Sequence, residues 1–191
     1  HIEDLALSSI FSMPAANRPV AGAIRVRERA LLDSRDESMG RRLPMGDDGP
    51  MSSSSIPRKG SQVALLANPA ARRGRAAADM ARVLERLRFR GIEPLVLDSA
   101  SADEALTAAH HAVATGIPRL VVVGGDGIVH MAANAAAGSP TVVGIVAAGT
   151  GNDAAESLGL IGGPSKQDLD ARVDRALADP TPVDLLACRS G

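Results

Sequence analysis

The chain has 191 residues, its hydrophobic content is 45%, and its formal net charge at pH 7 is −1. This length suits one ordinary domain, and a charge so close to zero gives no attraction toward nucleic acid or an anionic membrane. An aromatic content of 1%, without Trp or Tyr, argues against a stacking surface for single-stranded nucleic acid, and the single cysteine, Cys188, excludes internal disulfides and a multi-cysteine zinc site.

Residues 1–60 differ in composition from the rest of the chain. They hold scattered Pro, Gly and Ser, no sustained hydrophobic period, and the linker-like stretch GDDGPMSSSSIPRKG. Only residues 23–33 have a pattern compatible with a helix. No basic segment precedes the short apolar LALSSIF, so no signal peptide is expected. We predict that residues 1–60 are a largely disordered or non-native extension and that the domain occupies residues 61–191.

From residue 61 onward, predicted strands and helices alternate. Residues 119–125 are continuously apolar, which indicates a strand buried on both faces, as in a parallel sheet. Ser101 and Glu104 form a capping box at the start of one helix, and Ser165 with Asp168 is expected to cap the last. Strands are predicted at 63–67, 94–98, 119–125, 141–149 and 182–188, and helices at 75–90, 101–115, 128–137 and 165–178. This alternation predicts an α/β fold with three layers and a doubly wound, mostly parallel sheet.

Three of the predicted strands, at 63–67, 119–125 and 141–149, run into loops of unusual composition. Ligands of such sheets bind beyond the carboxyl ends of the strands, so the three loops are expected to open on one edge. Their candidate ligand-binding residues are Asn68, Arg72, Arg73, Gly74, Gly124, Gly125, Asp126, Gly127, Gly149, Thr150, Gly151, Asn152 and Asp153.

The residue types in these loops suit a phosphate ligand. Glycines such as Gly125 can adopt positive φ and expose successive N–H groups as an anion nest, and the following helices add their positive N-terminal dipoles. Arg72 and Arg73 could neutralise phosphates. Asp126 and Asp153 would each hold Mg²⁺, a ribose hydroxyl or a neighbouring N–H. A tight turn alone would explain Gly124–Gly127, and a solvated surface alone would explain the Arg cluster. The expected convergence of the three loops on one edge favours a phosphate site.

Two common nucleotide-binding motifs do not account for these loops. No Gly-x-x-x-x-Gly-Lys-Ser/Thr pattern occurs in the chain. Residues 149–154 match Gly-x-Gly-x-x-Gly/Ala, but this match follows a late strand. The acidic residues about twenty positions further on, Asp170 and Asp174, lie in a helical pattern rather than at a strand end. We therefore reject a dinucleotide-dependent dehydrogenase.

Three segments, NPAARRGRA, VVVGGDGIVH and VGIVAAGTGNDAAESLGL, together resemble the catalytic domain of the diacylglycerol kinase family, which includes bacterial lipid kinases and sphingosine kinases. The resemblance covers about residues 62–187. The GGDG motif is shared with NAD kinases, whereas GTGND distinguishes the lipid kinases. The resemblance implies a two-domain enzyme whose N-terminal α/β domain binds ATP and Mg²⁺ through the loops above. It also implies that the general base lies in a β-rich second domain, which we expect to be absent from this chain.

The resemblance further implies transfer of the γ-phosphoryl group to a lipid hydroxyl, such as that of diacylglycerol, by a cytoplasmic enzyme that is peripheral at the membrane. No nucleic-acid partner is expected, and the sequence does not decide between a monomer and a homodimer. The alternatives are a nucleotide-binding relative without catalysis and a kinase of a soluble acceptor such as NAD. The sequence departs from the usual family pattern in four places, and the identity of the substrate and its turnover depend on them. Arg72 replaces the usual Gly, Ile128 replaces Thr, His130 and Met131 replace Asn-Glu, and Glu156 replaces Arg.

Overall fold

The computed structural model describes residues 22–29, 63–67, 75–149, 152–157 and 168–186. Within those ranges, no helix combines the length and apolar character that crossing a membrane would require. The strands are β1 (Ala23–Arg29), β2 (Val63–Ala67), β3 (Leu95–Leu97), β4 (Arg119–Gly124), β5 (Val142–Ala147) and β6 (Thr181–Leu186). The helices are α1 (Arg75–Phe89), α2 (Ala102–Ala114), α3 (Asp126–Ala136), α4 (Asp153–Ser157) and α5 (Leu169–Ala176).

The six strands form one sheet in the order β3-β2-β4-β5-β1-β6. The four strands β3, β2, β4 and β5 are mutually parallel. Strand β1 pairs antiparallel with β5 and parallel with β6, so β1 and β6 run antiparallel to the other four strands. The predicted α/β fold with a mostly parallel sheet is therefore confirmed, and its carboxyl edge is defined by the ends of β2, β3, β4 and β5.

Helices cover both faces of the sheet, and strand β4 shows why. All six residues of β4 are buried, and they alternate between two cores. Leu120 and Val122 pack in a core with residues of α2 and α3, whereas Val121 and Val123 pack in a second core with residues of α1 and α5. A strand buried on both faces needs apolar residues at every position, which is the pattern that predicted it.

Strand β1 corrects the sequence-based prediction for residues 23–33. Residues 23–29 are a strand rather than a helix, and β1 lies between β5 and β6. Ile24 and Val26 are buried, while Arg25 and Arg27 are more exposed, so the apolar positions repeat every two residues. A domain beginning at residue 61 would lack this strand. The predicted disorder of the remainder of residues 1–60 concerns positions outside the described ranges.

Two helix starts show the predicted capping chemistry in modified form. The Ser101 hydroxyl accepts a hydrogen bond from the Glu104 N–H at 3.2 Å, and the Glu104 carboxylate accepts one from the Ala100 N–H at 2.7 Å. The carboxylate thus reaches one residue further back than in a standard capping box. Asp168 caps α5 by accepting the Asp170 N–H at 3.0 Å, so the helix begins at Leu169, later than predicted. Ser165 lies outside the described residues.

A buried arginine fixes the far end of α5 against the sheet. Arg119, at the start of β4, is 5% exposed and donates hydrogen bonds from Nη1 to the Ala176 carbonyl at 2.7 Å and from Nη2 to the Ala178 carbonyl at 3.1 Å. The Ala176 carbonyl is the last of α5 and the Ala178 carbonyl follows the helix, and a cation at this end stabilises the helix. Burial lowers the pKa of Arg119 to about 10, so the guanidinium stays charged at neutral pH.

Ion pairs also join α5 to α1. The Asp174 carboxylate accepts hydrogen bonds from Arg86 Nε at 3.1 Å and Arg86 Nη2 at 2.6 Å, and it lies 2.6 Å from Arg90 Nη2. Partial burial acts to raise the pKa of Asp174, but the hydrogen bonds from Arg86 and Arg90 outweigh it and hold the pKa below its usual value. The ionised carboxylate is therefore stabilised in the folded state.

We predict that Asp174→Asn lowers the free energy of unfolding by about 1 kcal/mol at neutral pH, a value discounted for the partial exposure of these side chains. A depressed folded-state pKa contributes stability above the unfolded-state pKa, here about 4, and this contribution is lost as the pH falls further. The variant should therefore show a shallower loss of stability below about pH 4. Urea unfolding across this range measures it. Glu93→Gln, which removes only the exposed pair with Arg88, is the control and should change neither quantity measurably.

Candidate functional site

The GGDG segment forms the corner between β4 and α3. Gly124 ends the strand with φ of +155°, a conformation available almost only to glycine. Gly125 is the N-cap of α3 and is extended, with φ −98° and ψ −162°. The expectation of positive φ at Gly125 is therefore wrong, because the chain makes its unusual turn one residue earlier. Asp126 and Gly127 then form the first turn of α3.

The second loop follows β5 and is closed by one side chain. Asn152 accepts the Gly149 N–H on Oδ1 at 3.2 Å and donates from Nδ2 to the Gly149 carbonyl at 3.0 Å. Its own carbonyl accepts the Glu156 N–H at 2.8 Å, which begins α4. Asn152 thus brings both ends of the loop together. Thr150 and Gly151, between them, lie outside the described residues.

A carboxylate joins these two loops. Asp126 Oδ2 accepts a hydrogen bond from the Asp153 backbone N–H at 3.1 Å, across 27 positions of sequence. Beneath it, the Ala148 N–H donates to the Gly124 carbonyl at 3.0 Å and extends the pairing of β4 with β5. The predicted convergence of these two loops at one edge of the sheet is confirmed. The Asp153 N–H is thus one of the partners expected for Asp126, and the roles toward Mg²⁺ and a ribose hydroxyl stay predictions.

The first candidate loop, with Asn68, Arg72, Arg73 and Gly74, lies outside the described residues. The elements on either side of it are placed. Strand β2 ends at Ala67 beside β4, and α1 begins at Arg75.

Sequence reasoning missed Arg172, which lies near the base of the second loop. Its Nη1 donates to the carbonyl of Ala147, the last residue of β5, and so ties α5 to the strand just before the loop begins. Arg172 is the fourth residue of α5. The local sequence carries no signal for this contact, because its partner lies 25 positions earlier in another element.

The departures from the family pattern occupy different environments. Ile128 is 1% exposed and packs in the core, so its side chain is unavailable to a ligand. His130 is half-buried, with Nε2 2.9 Å from Asn134 Nδ2. Met131 packs against the core, and Glu156 is exposed on α4.

The described residues contain no group of three or more His, Cys, Asp or Glu that could hold a metal ion by themselves. Mg²⁺ does not require such a group, because it is commonly bound through one or two carboxylates together with substrate phosphates. Asp126 and Asp153 lie at the start of α3 and α4 in the joined loops. These two carboxylates fit a metal ion that arrives with a nucleotide.

Comparison with known proteins gives two findings. The family model described as "Diacylglycerol kinase catalytic domain" matches residues 62–188. Curated proteins named "Diacylglycerol kinase" from two strains of Mycobacterium tuberculosis, CDC 1551 / Oshkosh and H37Rv, are each 36% identical over 99 residues, which is 52% of this chain and 32% of the relative. The aligned segment thus spans about a third of the length of these curated relatives.

Proposed function

Because this chain belongs to the diacylglycerol kinase catalytic domain family, we propose that it is the nucleotide-binding part of an ATP-dependent lipid kinase. The reaction is transfer of the γ-phosphoryl group of ATP to a lipid hydroxyl, such as that of diacylglycerol. The observation that supports it best is the hydrogen bond between Asp126 and the Asp153 N–H, which joins the GGDG and GTGND loops into one surface.

The geometry of this surface suits phosphoryl transfer, in which an enzyme mainly positions the phosphates and neutralises their charge. The backbone at Gly125–Gly127 and the N-terminus of α3 offer N–H groups and a positive dipole to an anion. In the proposed complex Asp126 and Asp153 would hold Mg²⁺, which would supply positive charge to the phosphates. No catalytic base is assigned within this chain, and the acceptor lipid is bound at a cytoplasmic membrane surface.

A nucleotide-binding relative without catalysis is the second candidate. The buried Ile128 and the exposed Glu156, where the family usually has Thr and Arg, favour it, since both changes remove a polar or cationic group. Calorimetric titration of ATP, combined with a phosphorylation assay on the full-length protein, separates the candidates. ATP binding with phosphorylation of diacylglycerol supports the kinase, and binding without phosphorylation of diacylglycerol or NAD supports the second candidate. Phosphorylation of NAD alone would identify the soluble acceptor, and absence of ATP binding would refute all three.

Gly127 provides a sharper test, because the fold does not need a glycine there. A Cβ built at Gly127 meets no atom of the chain within 4 Å. We predict that Gly127→Ala raises the free energy of unfolding by about 0.4–1 kcal/mol, because alanine restricts the unfolded chain more than glycine does. The same methyl group would occupy space that the phosphates need, so the affinity for ATP should fall at least about tenfold. Thermal unfolding and calorimetry on the same variant measure both effects.

The matched control for this substitution is Gly91→Ala. Gly91 follows α1 at φ +74°, also with nothing within 4 Å of a built Cβ, so only the backbone conformation opposes alanine. This variant should lose about 1 kcal/mol of stability and bind ATP normally. If Gly127→Ala bound ATP as tightly as the unmodified protein, the first turn of α3 would not be the phosphate site.

A further inference from the structure

We propose that Arg172 is a positioning residue for the phosphate site, an inference that rests on the proposed function. Arg172 lies on helix α5, outside both glycine-rich motifs, yet its Nη1 donates to the carbonyl of Ala147 at the end of β5. Gly149, the first candidate ligand-binding residue of the second loop, follows two residues later. The contact thus holds the strand at the point where the loop leaves the sheet.

The Ala147 carbonyl lies on the side of β5 that faces away from β4. The Ala148 N–H points to β4 and extends the pairing with that strand, whereas the Ile145 N–H points to the other side and donates to the Gly22 carbonyl. Backbone groups alternate between the two sides of a strand, so Ala147 faces the same side as Ile145. Within the described residues, the pairing of β1 with β5 ends at Gly22. Ala147 is buried, and Arg172 supplies the donor that its carbonyl needs.

Helix α5 is packed closely enough to fix where the Arg172 side chain begins. A Cβ added at Gly144 of β5 would overlap the Ala176 carbonyl, so the helix and the strand meet backbone to backbone. The ion pairs of Asp174 hold the helix against α1, and Arg119 holds its end against the start of β4. Long side chains of a helix point back toward its N-terminus, which directs Arg172 from this fixed backbone toward the carboxyl end of β5.

The second loop is therefore held from two opposite sides. On the side of β4, the strand pairing and the hydrogen bond from the Asp153 N–H to Asp126 hold it. On the other side, Arg172 holds Ala147. The contacts of Asn152 close the loop but do not join it to another element. Loss of Arg172 should therefore let the loop shift relative to the first turn of α3, where the phosphates are proposed to bind.

Hydrogen exchange of single backbone amides, measured by NMR on this chain without nucleotide, tests the positioning of the loop by itself. Arg172→Met keeps an unbranched stem and removes every donor. Exchange at Gly149 and Asp153 should then be at least about tenfold faster, the equivalent of one hydrogen bond to a charged group. Arg172→Lys keeps a charged donor on a more flexible stem and should give an intermediate rate. Amides in the middle of β2 and β4 should keep their rates in both variants.

Calorimetric titration of ATP into the same variants, well below their unfolding temperatures, tests the consequence for the ligand. The Kd for ATP should rise at least about tenfold in Arg172→Met and by a smaller factor in Arg172→Lys. Arg82→Met is the matched control, because it removes an arginine that also contacts α5, through Asp170 at 3.7 Å, with both side chains about half exposed. A pair so exposed contributes little, so this variant should keep normal exchange and normal ATP affinity.

Two results would overturn the role of Arg172 while the proposed function stands. One is unchanged exchange at Gly149 and Asp153 in Arg172→Met, and the other is faster exchange with normal ATP affinity, because the arginine would then serve only the fold. If Arg172→Met failed to fold, normal exchange and normal ATP affinity in Arg172→Lys would overturn it equally. Absence of ATP binding by the unmodified chain would refute the proposed function and the phosphate role of Arg172 together, and the exchange rates would still show whether Arg172 holds the loop.

Discussion

Asp126→Asn should reduce kcat of the proposed full-length kinase by about two orders of magnitude or more while leaving the fold intact. The amide oxygen of asparagine can still accept the Asp153 N–H, so the hydrogen bond between the loops persists. The negative charge proposed to hold Mg²⁺ is lost. The free energy of unfolding should change by less than about 1 kcal/mol, the size of the lost interaction with the α3 dipole. Lipid phosphorylation kinetics and urea unfolding measure the two quantities.

Two further variants separate charge from structure at Asp126. Asp126→Ala removes both the charge and the hydrogen-bond acceptor, so it should lose activity and also destabilise the loops. Asp103→Asn makes the same charge change in the first turn of α2, at an exposed position, and should keep normal activity. Normal turnover by Asp126→Asn would show that this carboxylate serves only the fold.

Val26→Asp is expected to unfold the domain. Val26 is 2% exposed in the middle of β1, and a carboxylate there would be buried among apolar side chains of the core. An unpaired buried charge costs more than about 4 kcal/mol, which is a large part of the stability of an ordinary domain. The substitution should also affect β6, because β6 pairs only with β1 within the described residues. Disrupting β1 therefore detaches β6 as well.

Circular dichroism and urea unfolding compare Val26→Asp with Arg27→Gln. The control replaces the next residue, on the exposed side of the strand, by a neutral polar side chain, and should fold with nearly normal stability because it places no carboxylate beside Asp184 of β6. If Val26→Asp also kept normal stability, β1 would not be part of the folded domain, and the predicted extension over residues 1–60 would stand.

The parts of the fold that could be predicted are those specified by local pattern. Buried parallel strands need apolar residues on both faces, so VALLA and RLVVVG are recognisable without knowing their partners. The convergence of Gly124–Gly127 with Gly149–Asp153 followed from the rule that parallel strands end at one edge. That rule also located Asp126, since only a residue at this edge can reach the Asp153 N–H.

The parts that could not be predicted depend on partners distant in sequence. Strand β1 offers only the short alternation Ile24-Arg25-Val26-Arg27, and its assignment as a strand depends on β5 and β6 more than a hundred residues away. Arg119 was assigned to a strand, but nothing local shows that it caps the end of α5. Arg172 in helix α5 is a similar case, because its hydrogen bond to the Ala147 carbonyl joins two elements that are distant in sequence.

The position of β1 also affects the order in which the protein can fold during synthesis. A ribosome releases β1 first among the described strands, yet the neighbours of β1, strands β5 and β6, are made last. At roughly 5–20 residues per second, β1 waits on the order of ten seconds for β5. Strands β2, β3 and β4 can pair during that interval, whereas β1 has both edges open to other nascent chains and to chaperones. Completion of the sheet is therefore a late, non-local step, of the kind that makes folding slow and prone to aggregation.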